Sequence, residues 1–65
     1  MTTADIIMNG GGTIYTLFGN TPAGTDWLTD NLPEDAMMFG NAYVVEHRYV
    51  GDIIDGAMND GMTVQ

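Results

Sequence analysis

The chain has no cysteine, no lysine and no serine, and only one arginine and one histidine among its 65 residues. Without cysteine there is neither a disulfide framework nor a thiolate metal site, so stability must come from packing or association, as suits a reducing cytosol. Without serine or cysteine, a nucleophile–base pair would have to be built from threonine or tyrosine with His47, and no motif sets one up. An enzyme is therefore not expected, and neither is a cofactor. No apolar run approaches the ~18 residues that cross a bilayer, and the N-terminus lacks the charged and apolar regions of a secretion signal. A soluble, unprocessed, cytoplasmic protein is therefore expected.

What is present is acid. Nine carboxylates against one arginine give a net charge of −8. The hydrophobic content of 45% is that of a globular chain, so this charge does not signal disorder. A field of that sign repels nucleic acid and anionic membrane and attracts basic partners. One domain spanning residues 1–65 is expected, near the size at which a single core is marginal, as a monomer or a homodimer.

Ile6-Ile7-Met8 followed by Asn9 and three glycines reads as an edge strand or arm running into a loose turn. The stretch "TIYTLFG" (13–19) mixes β-branched and aromatic residues as a strand does. Thr21-Pro22 is a cap and first-turn pair, Trp27, Leu28 and Leu32 form an apolar stripe, and Pro33 ends it, which predicts a helix over 22–31. "AMMFGNAYVVE" (36–46) is a hairpin turning at Gly40-Asn41. Apolar residues recur at helical spacing from about Arg48 until Gly61 supplies a left-handed stop, and Met62-Thr63-Val64 makes a last short strand. The predicted fold is α+β: a small antiparallel sheet with two helices on one face, in β-α-β-β-α-β order, ferredoxin-like in miniature, with room for an extra N-terminal strand. Gly24, Gly51 and Gly56 interrupt the helices at roughly 1 kcal/mol each, which implies either unusually close packing on the sheet or misplaced boundaries.

Other chemistry is poorly served. "NGGGT" lacks the lysine and hydroxyl setting of a phosphate loop. "DIIDGAMNDG" (52–61) fails the alternating ligand pattern of a calcium loop, so no metal site is assigned. His47 has no second histidine with which to share a metal and reads as a junction residue. The six methionines sit mostly at apolar positions and read as core fillers.

The acids are placed where fold stability alone would not put them. Asp26 and Asp30 lie four apart on helix one, Glu34 and Asp35 follow it, and Asp52, Asp55 and Asp60 mark helix two. Like charges at such spacing cost a few tenths of a kcal/mol per pair, and acids near a helix C-terminus oppose its dipole. A solvated face that keeps a small protein soluble is one reading. The functional reading is a fixed array of charge standing in for phosphates. Duplex DNA carries one charge per ~1.7 Å of axis, so eight net charges match roughly 14 Å of duplex. Arg48 is expected to act as an internal clamp, with Glu46 before it and Asp52 four positions on, tying a strand end to helix two.

The stretches "TIYTLF", "WLTDNLP", "FGNAYVVEHRY" and "DIIDGAMNDG", between residues 13 and 61, resemble a family of short acidic bacterial and phage-borne proteins with no assigned chemistry. In size, acidity and lack of catalytic groups the chain is also similar to the small anti-CRISPR proteins of phages. That resemblance implies a DNA mimic acting on a type I surveillance complex, type I-C among them, whose large subunit grips duplex through basic side chains. Asp26, Asp30, Glu34, Asp35, Asp52, Asp55 and Asp60 would then be the contacts. The alternative is an adaptor or antitoxin-like module binding through an edge strand or an apolar patch of Tyr15, Tyr43 and the methionines. A divalent-metal protein is a third reading, which a metal-dependent rise in melting temperature would reveal.

Overall fold

The computed structural model describes residues 3–65. The chain runs β1 (Ile6–Gly11), β2 (Ile14–Gly19), α1 (Pro22–Asn31), β3 (Met38–Phe39), β4 (Ala42–Glu46) and α2 (His47–Asn59). The strands form one antiparallel sheet in the order β1-β2-β4-β3. No helix among the described residues is long and apolar enough to cross a membrane.

Both hairpins turn in two residues. Gly11 pairs with Ile14 around Gly12-Thr13, and Phe39 pairs with Ala42 around Gly40-Asn41. The first loop residue of each is a glycine in the left-handed region, Gly12 at φ +68° and Gly40 at φ +62°, which glycine adopts without steric cost. The glycine run is thus not a loose turn: Gly10 and Gly11 continue the β1 ladder.

The expected fourth strand of the split β-α-β unit would pair with the free edge of β2. β1 occupies that place, and the C-terminal segment makes only an isolated parallel bridge, Ile6 to Val64, on the far side of β1. Loop closure explains the choice, since a two-residue turn delivers β1 to β2 at little entropic cost. Helix two ends as expected at Gly61 (φ +90°). The Met62 N–H donates to Ala57 O at 2.9 Å and the Gly61 N–H to Met58 O at 3.0 Å, the paired bonds of a Schellman stop. The helix begins at His47, one residue before its predicted start.

Side chains alternate across the sheet. Ile6, Met8, Tyr15, Leu17, Tyr43 and Val45 face the helices and join Leu28, Val50 and Ala57 in the core. Among the described residues only Ile6, Leu17 and Leu28 are large and fully buried. Both helices lie on this face, since the Trp27 indole of α1 sits against Gly56 of α2 and its Nε1 donates to Asp60 Oδ2 at 2.6 Å. Ile7, Ile14, Thr16, Phe18, Phe39, Ala42 and Val44 line the opposite face, which carries no helix.

The helix-one boundaries stand at 22–31, and of the three interior glycines only Gly24 is required by packing. Gly24 is buried where α1 meets the start of β1, and a Cβ there would collide with the Asp5 carbonyl. A Cβ at Gly56 would meet the Trp27 ring at an ordinary contact distance of 3.6 Å and one at Gly51 would face open space, so close packing accounts for Gly24 alone.

Asp5 joins three segments. Its Oδ1 accepts from Thr21 Oγ1 at 2.7 Å, its Oδ2 from the Thr63 N–H at 3.0 Å, and its carbonyl from the Asn20 N–H at 2.8 Å. Thr21 in turn caps α1 by accepting from the Gly24 N–H at 3.1 Å. The Thr21 hydroxyl and the Thr63 amide favour the ionised carboxylate and hold its pKa below the ordinary 3.8, against the opposing effect of burial. Because the folded pKa is the depressed one, ionised Asp5 stabilises the fold fully above the unfolded value, and that contribution is lost as pH falls through the folded value. Melting temperatures of wild type and Asp5→Asn should therefore differ at neutral pH and converge below pH 3.8. A gap that is constant across that range would remove Asp5 from the acid response.

Candidate interaction surfaces

The helical layer builds the acidic surface by a simple rule. Asp26 and Asp30 each lie two residues from the buried Leu28, Asp52 lies two from Val50, and Asp55 lies two from Ala57. Two residues turn a helix by about 200°, so a carboxylate two places from a core residue points away from the sheet. All four are exposed, as are Glu34 and Asp35 in the loop after α1.

Asp60 differs, because it is the acceptor of the Trp27 indole. It belongs to the contact between the helices, which spans 33 residues of sequence and has no local signature. Asp5 is likewise structural, with partners 16 and 58 residues away.

The Arg48–Glu46 contact, Nε to Oε2 at 3.3 Å, is the one ion pair among the described residues, and Asp52 takes no part in it. Arg48 also stacks on Tyr49, 4.8 Å from the ring centroid. The two charged side chains remain 64% and 56% exposed, so solvent screens the pair and its worth is about 0–1 kcal/mol. The pair ties the end of β4 to the first turn of α2 as expected, through Glu46 and not Asp52, and its exposure limits what it adds to stability. Arg48→Ala should lower stability by less than about 1 kcal/mol in urea unfolding, and a loss of several kcal/mol would restore the clamp.

A groove of about 720 Å³ opens at the outer edge of β4, beyond the end of the short β3. Leu32, Pro33, Val45, Tyr49 and Ile53 supply its apolar wall, and Glu46 and Asp52 supply carboxylates. The acidic ridge of α2 therefore borders an apolar depression. The tyrosines expected on an adaptor surface are elsewhere: Tyr15 and Tyr43 are half-buried against the core. The methionines are less internal than expected. Met8 and Met62 pack against the core, but Met37, Met38 and Met58 are about half exposed or more. His47 is exposed at the start of α2. No three His, Asp or Glu side chains among the described residues converge as metal ligands would.

No protein-family model, no curated protein and no solved structure matches the chain. A functional reading therefore starts from these surfaces.

Proposed function

We propose that the chain is a non-enzymatic inhibitor, a DNA mimic whose helical layer occupies the DNA-binding surface of a host defence complex. The observation that carries this reading is the set of four helix carboxylates, Asp26, Asp30, Asp52 and Asp55, all exposed and none within reach of a cation among the described residues. Four residues of helix rise about 6 Å, close to two base steps of one DNA strand, so Asp26 and Asp30 are spaced on the scale of a phosphate backbone. Glu34 and Asp35 extend the array past the end of α1. A type I surveillance complex is the target to which the resemblance to anti-CRISPR proteins points.

The groove beside Asp52 favours a second reading, an adaptor that takes an apolar side chain of its partner between Leu32 and Tyr49. Salt separates the two, because charge mimicry weakens steeply as ionic strength rises and apolar docking does not. The immobilised chain, exposed to a bacterial host lysate at low and high salt, should retain a DNA-handling complex at low salt only. Retention of a partner at both, abolished by Tyr49→Ala, would favour the adaptor.

A further inference from the structure

We infer that two copies of this chain associate through the sheet face that carries no helix. This inference is independent of the charge-mimic reading, whose helix carboxylates lie on the other side of the sheet, although Ile14, Met37 and Val44 of this face also line the groove beside Asp52.

The face is apolar and self-matching. Strand register sets Ile7, Phe18, Ala42 and Phe39 side by side in one row across the sheet. The next row holds Asn9, Thr16 and Val44, with Met37 beyond, where the Val44 N–H donates to Met37 O at 2.9 Å. Phe39 is 77% exposed, Met37 70% and Ile14 46%, an unusual concentration for so small a chain.

Charge selects the occupant. Of the nine carboxylates, Glu46 alone falls in the rows of this face, opposite Ile14, and it is the one that holds the only arginine. The face is therefore neutral on a chain of net charge −8. A basic partner is drawn to the helical layer, whereas a second copy is repelled there and meets on this face only the Glu46–Arg48 pair, which the two-fold sets over the partner's Ile14.

Shape supports the same pairing. A two-fold axis parallel to the strands, running between β2 and β4, reverses the strand order in the second copy. It sets Phe18 over the partner's Ala42 and Ile7 over the partner's Phe39, so a large residue meets a small one at the centre of an isologous contact. Strands ~4.8 Å apart, six, six, five and two residues long, give a footprint of roughly 300 Å² per copy. The total is below the ~1,200 Å² of a standard stable interface, so the dimer should be reversible and depend on concentration.

Analytical ultracentrifugation of the full chain across the micromolar range tests this. The mass should climb from 7.0 kDa toward twice that value, and more readily at high salt, which screens the repulsion between copies. Phe39→Asp, at an exposed site, should keep the circular dichroism of wild type and abolish association. Phe18→Ala should weaken association at least tenfold, and the swap Phe18→Ala with Ala42→Phe should restore it by returning a large residue opposite a small one. A 7.0 kDa species at every concentration, or a dimer unaffected by Phe39→Asp, overturns the inference. If Phe18→Ala weakens the dimer and the swap does not rescue it, the two-fold pairing is wrong.

Discussion

Gly24→Ala should destabilise the fold more than any other glycine substitution in its helices. Gly24 is buried at the third position of α1, where its N–H donates to the Thr21 cap, and a Cβ there meets the carbonyl oxygen of Asp5. That carbonyl cannot retreat freely, because it accepts from Asn20 while the carboxylate of the same residue holds Thr21 and Thr63. Either α1 lifts from the sheet or this cluster of bonds breaks. Overpacking of this kind, against backbone and not a flexible side chain, lies at the upper end of the usual range, about 3 kcal/mol. A 65-residue domain has a total stability of roughly 3–10 kcal/mol, so the loss is a large share of it. The melting temperature should fall by more than about 12 °C. Gly51→Ala is the matched comparison, since it removes a glycine from a helix interior where nothing lies within 4 Å. It should raise stability by about 0.5–1 kcal/mol. Equal melting temperatures for the two variants would mean that α1 does not approach β1 as closely as described.

Reversing Asp26, Asp30, Asp52 and Asp55 to lysine should weaken binding to the basic partner by at least ~100-fold while leaving the fold intact. Each reversal moves the net charge by two, so four of them carry the chain from −8 to neutrality. The fold should tolerate the change because each side chain points away from the core, lysine is a better helix former than aspartate, and a cation near the end of α1 suits the helix dipole. Circular dichroism and melting curves of the fourfold variant provide the control. Reversing one helix at a time apportions the effect between α1 and α2. Undiminished binding by the fourfold variant would leave the acids as a solubilising face and shift attention to the groove.

Much of this was legible in local sequence. Thr21-Pro22 and Pro33 bound α1, Gly61 stops α2, and Gly40-Asn41 turns the second hairpin, each through a backbone preference confined to a few residues. The four helix acids were legible too, because their distance of two from an apolar stripe fixes their direction. The rest depends on contacts far apart in the chain. Nothing near Asp5 marks it as the junction of β1, α1 and the C-terminal segment, and nothing near Trp27 names Asp60 as its acceptor. β1 took the place beside β2 because the glycine run, read as slack, is a strand ending in a two-residue turn. "TIYTLFG" is apolar at Ile14 and Phe18 as well as at Tyr15 and Leu17, so the strand shows no alternation from which the helix-covered face could be read.

Charge mimicry is tested most directly by competition on a type I surveillance complex carrying a labelled target duplex, titrated with this chain at low salt and followed by fluorescence anisotropy. The chain should displace the duplex with one-for-one competition, and the displacement should fade as salt is raised. If the complex binds the chain while the duplex stays in place, the acidic layer is not occupying the DNA site and the mimic reading is wrong.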